Sequence, residues 1–139
     1  MRLVLDTSVL IAAVVADGLC RDLVRVRLRA HTIITSEPLL EELRATLRGK
    51  FKADPDKLSL LEALRDEAEI VAPAVLGKRV CRDNDDDVVL ATAVAGRAQI
   101  IVTGNDDLLV LKSPSRTGIF RGGRILSPRQ FLKVLDQRS

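Results

Sequence analysis

Leu3-Val4-Leu5-Asp6-Thr7-Ser8-Val9-Leu10 carries one apolar run into another across a single acid. The consecutive apolar residues Leu3 to Leu5 suit a buried strand, and Thr7 to Ala16, ending near Asp17-Gly18, reads as an apolar helix. A strand that feeds straight into a helix opens an α/β fold, and the rest of the chain repeats the alternation. Residues 19–30 continue as a basic helix. Thr32 to Thr35 is a second strand, and Ser36 caps a helix with Pro38 in its first turn that runs to about Arg48, before Gly49. Asp54-Pro55 opens another helix to about residue 68, and Glu69 to Val71 is a short strand ended by Pro73. The acidic run Asp83-Asn84-Asp85-Asp86-Asp87 leads into a helix whose stretch from Val88 to Ala95 has no charge on any face, which predicts burial nearly all round. Gln99 to Val102 is the next strand, followed after Thr103-Gly104 by a short helix from Asn105 to Leu111. Ile119 to Ile125, broken by Gly122-Gly123, reads as a hairpin or a final strand. Ser127-Pro128-Arg129-Gln130 resembles a capping box for a last helix with Phe131, Leu132 and Leu135 inward.

The 139 residues are 47% hydrophobic and 29% charged, which fits one domain spanning 1–139 with enough Leu, Val, Ile and Ala for a core. No internal repeat, low-complexity tract or linker interrupts it. Thr7 to Ala16 is well short of the ~20 residues that cross a bilayer. Asp6 breaks any secretory signal early, so the expectation is a cytoplasmic protein without a membrane span. Cys20 and Cys81, with 60 residues between them and His31 as the single histidine, are too few for a thiolate zinc site. They read as small core or near-surface residues, and His31 as the residue before a strand. A G-x-S-x-G elbow and the Gly-rich phosphate loops are absent.

Net charge is +3, but the signs segregate. Residues 112–139 hold Lys112, Arg116, Arg121, Arg124, Arg129, Lys133 and Arg138 against Asp136 alone, whereas 83–107 hold six Asp against Arg97. Basic segments framing an acidic cluster suit a polyanionic partner. With three Phe and no Trp or Tyr, base-stacking platforms of the RRM or OB type are disfavoured.

In an open parallel sheet, ligands sit beyond the carboxyl ends of the strands. Asp6 follows the first strand there, and Asp106 and Asp107 follow the strand from Gln99. On the Ser36 helix, Glu42 lies about 115° and Glu41 about 145° from the centre of the apolar face, at 100° per residue, so Glu42 is the better placed to reach a cleft. Asp87 is the last charge before the apolar helix. Each acid alone has a plain structural role, Asp6 as a cap and Asp85 to Asp87 as complements of a helix dipole. Together they differ, because two unit charges ~4 Å apart repel by about 4 kcal/mol at an effective dielectric of ~20. A cluster needs a cation or a proton, and hard oxygen ligands favour Mg²⁺ or Mn²⁺.

Four segments then acquire a common meaning. Leu5-Asp6-Thr7-Ser8-Val9-Leu10, the stretch from Ser36 to Leu47 with Glu42-Leu43, the run from Arg82 to Ala93 with Asp87 three before Leu90, and Val102-Thr103-Gly104-Asn105-Asp106-Asp107-Leu108-Leu109 resemble, in order and spacing, the PIN-domain family. The closing Leu126-Ser127-Pro128-Arg129-Gln130-Phe131-Leu132 is similar to the branch that contains the toxin components of toxin-antitoxin pairs. The resemblance implies a metal-dependent ribonuclease on a Rossmann-like three-layer αβα sandwich with a central, mainly parallel sheet. It carries the family's acidic positions onto Asp6, Glu42 and Asp87. The fourth falls on Asn105, where Asp is usual; an amide ligates through oxygen or holds a water but removes one negative charge. Asp107 is the further acid that compensates, with Asp106 a lesser substitute, and Ser8 and Thr103 are polar positions that orient carboxylates or water.

On this reading Asp6, Glu42 and Asp87, with Asn105 or Asp107, hold one or two Mg²⁺ or Mn²⁺ ions whose chemistry is to activate water for in-line attack on an RNA phosphodiester. Arg and Lys of the flanking segments hold the strand. The resemblance also implies an antitoxin that covers the cleft, and a homodimer. Two other readings stand beside it. One is a PIN-like module, weakened at Asn105, that binds RNA or protein. The other is a phosphotransfer domain with Asp6 as nucleophile, against which stands Ser8 where an Asp-x-Asp would be expected.

Overall fold

Five strands, β1 (Arg2–Leu5), β2 (Thr32–Thr35), β3 (Glu69–Ile70), β4 (Ile100–Val102) and β5 (Arg124–Leu126), form one parallel sheet in the order β3-β2-β1-β4-β5. They come from a computed structural model that describes residues 1–15, 30–49, 55–76, 84–109, 120 and 123–138; the side chains at 14, 15, 55–60, 84, 85, 107 and 138 are outside that description. The helices are α1 (Thr7–Val15), α2 (Glu37–Gly49), α3 (Pro55–Glu67), α4 (Asn84–Ala95), α5 (Asp106–Leu109) and α6 (Pro128–Arg138). Among the described residues no helix is long and apolar enough to cross a membrane. The basic helix expected from residue 19, both cysteines, and the stretches 77–83 and 110–119 lie outside the described residues.

Side-chain alternation along the strands sorts the core into two layers. Leu3 and Leu5 of β1, Ile100 and Val102 of β4 and Leu126 of β5 face one way, against Val9 and Leu10 of α1, Leu40, Leu43 and Leu47 of α2, Leu61 of α3 and Phe131 and Leu135 of α6. Val4, Ile34, Ile101 and Ile125 face the other, against Val89, Leu90 and Ala93 of α4 and Leu108 of α5. The chain is therefore an α/β sandwich of three layers; the alternation of elements implies the α/β class and the family resemblance the layering. Right-handed crossovers account for which helix covers which face. The chain winds outward from β1 to β2 and β3, then reverses under α4 to place β4 on the other side of β1. The crevice between the carboxyl ends of β1 and β4 is the point where the winding changes direction.

Local details follow the residues. β3 is two residues long, and Val71 N adds one further bond to Thr35 O at 2.9 Å before Pro73, which has no N–H to continue. The Gly-Gly segment leads to a final parallel strand, not a hairpin. The capping box opens α6: Gln130 N donates to Ser127 Oγ at 3.2 Å and Ser127 N to Gln130 Oε1 at 2.9 Å, with Phe131 fully buried. Arg65 of α3 pairs in two places with Glu37 at the start of α2. The hydrogen bond to and the charge of Glu37 hold its guanidinium above the usual arginine range.

α4 is buried all round through its middle, as expected: Val89 to Ala93, more than one full turn, are all buried. The expectation fails at the ends of the apolar stretch, where Val88 is half-buried and Val94 and Ala95 are exposed. The helix ends in a Schellman turn, with Ala98 N bonded to Ala93 O at 2.9 Å and Arg97 N to Val94 O at 3.3 Å. Arg97, not the neighbouring glycine, takes the left-handed conformation, at φ 54°. Gly96 meets a different demand: a Cβ there would stand 2.5 Å from Ile34 Cγ2 on β2.

Candidate active site

Asp6 leaves β1 at the switch point. Its backbone belongs to the fold: Asp6 N donates to Val102 O of β4 at 2.9 Å, and Asp6 O receives Val9 N and Leu10 N at 3.0 and 3.2 Å to start α1. Its carboxylate does not cap that helix. Oδ1 accepts from Thr7 Oγ1 at 3.3 Å, and Oδ2 accepts from Ser8 Oγ at 3.2 Å and Thr103 Oγ1 at 2.6 Å. The side chain is 4% exposed, and among the described residues its partners are hydroxyls, with no cation paired to it. A buried carboxylate held only by neutral donors lacks the counter-charge that ordinarily accompanies burial.

Thr103, wholly buried just past β4, joins this carboxylate to the next segment. Its hydroxyl proton goes to Asp6, and the same oxygen accepts Asn105 N at 2.9 Å. The Asn105 amide then crosses to α4, where Nδ2 donates to Asp86 Oδ1 at 2.9 Å. Asp86 is 5% exposed. Gly104 N donates to Ser8 Oγ at 3.2 Å, closing the β4 loop onto the start of α1. Three separate segments are thus tied together: Asp6 and Ser8 after β1, Thr103 and Asn105 after β4, and Asp86 at the head of α4.

The remaining sequence-derived positions lie on α2, α4 and α5. Glu42 is half-buried on α2, on the flank of the row Leu39, Leu40, Leu43, Leu47 as the helical wheel predicts, and Asp87 is half-buried one residue after Asp86. Asp106 is exposed at the start of α5, and the side chain of Asp107 is outside the described residues. A second tie joins the helices that bear the acids. Thr92 Oγ1 gives its proton to Val88 O at 2.8 Å, so Ser36 Oγ is the donor in the 2.8 Å contact with Thr92 Oγ1. Ser36, expected to cap α2 with its hydroxyl, instead pins the start of α2 to α4, while its carbonyl accepts Leu40 N at 3.0 Å.

Asp86 is the acid that the sequence reading passed over. Sequence periodicity does not separate it from Asp87, because the rows Val89, Leu90, Ala93 and Leu90, Ala91, Val94 are equally apolar; burial does. Asp86 shares a row with Val89, Leu90 and Ala93, at offsets of three, four and seven, all three at most 1% exposed, whereas the row from Asp87 ends on exposed Val94.

No three acids, histidines or cysteines among the described residues form a group that could by itself hold a metal ion. The donors present nevertheless suit a hard divalent cation: two buried carboxylates from different segments, with amide and hydroxyl groups between them and, among the described residues, no thiolate or imidazole.

Comparison with known proteins agrees with this architecture. A chain in the crystal structure of VapBC2 from Rickettsia felis bound to a DNA fragment from their promoter superposes with a TM-score of 0.57 at 19% identity, over 91% of this chain and 98% of that one. A chain of VapBC-1 from nontypeable Haemophilus influenzae gives 0.56 at 15% identity, over 93% of this chain and 99% of that one. These likenesses concern the fold. No curated protein gives a significant match. The sequence profile of the PIN domain matches residues 2–107, a span that includes β1, α4, β4 and every residue of the tied network. The chain belongs to the PIN-domain family.

Proposed function

We propose that the protein is a metal-dependent ribonuclease that hydrolyses RNA phosphodiester bonds, the toxin of a toxin-antitoxin pair. The observation that carries the proposal is the burial of Asp6 and Asp86 at one switch point, linked through Thr103 and Asn105, with Asp6 lacking a cationic partner among the described residues. Asp6 and Asp86 are the foremost ligands for Mg²⁺ or Mn²⁺, with Glu42, Asp87, Asn105 and Asp107 as the further oxygen donors. Bound there, a divalent ion supplies an activated water and positive charge for the crowded phosphate oxygens.

The residues of the chain prepare that chemistry. Thr103 and Ser8 hold Asp6 Oδ2 from two sides and fix the orientation of the carboxylate. Asn105 fixes Asp86 in the same way. Asp106 marks the exposed rim, and basic side chains of the flanking segments hold the RNA backbone. An antitoxin that covers the cleft, a homodimeric state and a cytoplasmic setting belong to the same reading; the VapBC likeness in fold supports the antitoxin part.

Purified protein is expected to cut single-stranded RNA with Mg²⁺ or Mn²⁺ and to stop in EDTA, and Asp6→Asn to abolish cutting while unfolding as cooperatively as the parent. Cleavage that persists in EDTA overturns the proposal. One observation favours a second reading, a binding module with weakened catalysis: position 105 offers an amide and not an acid. RNA captured at micromolar concentration without cleavage, in any divalent metal, would establish it.

A further inference from the structure

The backbone of Asn105 is held at both ends. Asn105 N is bonded to Thr103 Oγ1, and Asn105 O receives Leu108 N and Leu109 N at 3.2 and 3.1 Å, which opens α5. From this fixed base the side chain reaches across 19 positions of sequence to Asp86 on α4. An ionised carboxylate only accepts, so it is the NH₂ end of the amide that faces Asp86 Oδ1 at 2.9 Å. Asp86 is therefore buried against a neutral donor supplied from another element. An acid at position 105 would instead set two like charges against each other wherever no ion lay between them.

We infer that Asn105 is a positioning residue for Asp86. Its amide proton steadies the carboxylate in the metal-free protein, holds it ready for the ion, and leaves the site one negative charge lower than an acid would. The inference rests on the metal-site reading given above. The site is consequently ordered before the ion arrives and binds it more weakly than an all-carboxylate site would.

The test uses the full chain and Mn²⁺ alone, measuring affinity by calorimetry and thermal unfolding in EDTA and in excess Mn²⁺. Asn105→Asp is expected to lower the melting temperature in EDTA, to bind Mn²⁺ about tenfold more tightly through the added charge, and to gain more stability from the ion than the parent does. Asn105→Ala is expected to bind Mn²⁺ about tenfold more weakly, because Asp86 loses its support; it keeps the test decisive if Asn105→Asp does not fold. Equal affinities in all three proteins, with the same loss of melting temperature in EDTA and in Mn²⁺, would make Asn105 a helix cap alone and overturn the inference while the metal site stood. No Mn²⁺ binding by the parent would overturn both.

Discussion

Thr103→Val removes the hydroxyl that, beside that of Ser8, joins the segment after β1 to the β4 loop. Valine keeps the branched shape, so the change deletes hydrogen bonds with little cavity. Two are lost: the 2.6 Å bond into Asp6 Oδ2 and the 2.9 Å bond from Asn105 N. A hydrogen bond to a charged group is worth about 1.5–3 kcal/mol, and a partly buried N–H that loses this acceptor costs about 1 kcal/mol, the low end of the range for buried groups. The two share one oxygen and do not add fully, which gives a destabilisation of about 3 kcal/mol. For a domain of this size that is a fall in melting temperature of roughly 10 °C. Thr103→Ser retains the hydroxyl and loses a methyl, at about 1 kcal/mol. Urea unfolding of the three proteins in EDTA measures the difference. Stability of Thr103→Val within 0.5 kcal/mol of the parent, a margin typical of inconsequential surface changes, would refute the claim that this hydroxyl ties the two segments together.

The end of α4 offers a pair of opposite outcomes. Arg97→Gly relieves a side chain at φ 54° and is expected to raise stability by about 1 kcal/mol, whereas Gly96→Ala drives a methyl into Ile34 and is expected to cost about 1–3 kcal/mol despite the better helix propensity of alanine. Thermal melts of the two variants check both signs. Removing the reciprocal bonds at α6 with Ser127→Ala is expected to cost about 1 kcal/mol, and a double-mutant cycle with Gln130→Ala should return less than the sum, since the two residues cap each other. Asp86→Asn is expected to weaken Mn²⁺ binding by tenfold or more, and Asp87→Asn by less; calorimetry that ranks them the other way would restore Asp87 as the principal ligand.

The strands and helices were legible because their signals are local. Thr32 to Thr35 occupies the bounds its β-branched run predicts, and the helix from Pro55 begins where its Asp-Pro opening places it. Asp6 could be named from its position after a strand, since the sheet rule fixes where such residues stand, and Thr103 from the family resemblance. What could not be read was which groups would meet. Nothing near Ser36 in sequence says that its hydroxyl will turn from its own helix to Thr92, because that choice depends on how α2 and α4 lie side by side. Choosing between Asp86 and Asp87 needed the phase of α4, which the charge-free run from Val88 obscured by making every face look equally apolar. Gly96 and Arg97 show the same limit: the left-handed turn falls on Arg97, and the close approach of Ile34 requires the glycine one residue earlier, which only the packing reveals.

The bond between Thr103 and Asp6 spans 97 positions of sequence. During synthesis, at about 5–20 residues per second, the ribosome finishes residue 6 roughly 5–20 s before it reaches 103. Through that interval the nascent polypeptide has made its first acid but neither the strand that will lie beside β1 nor the hydroxyl that will hold the acid in place. Any activity of this crevice is therefore timed by translation itself, and stays switched off until Thr103 has been made.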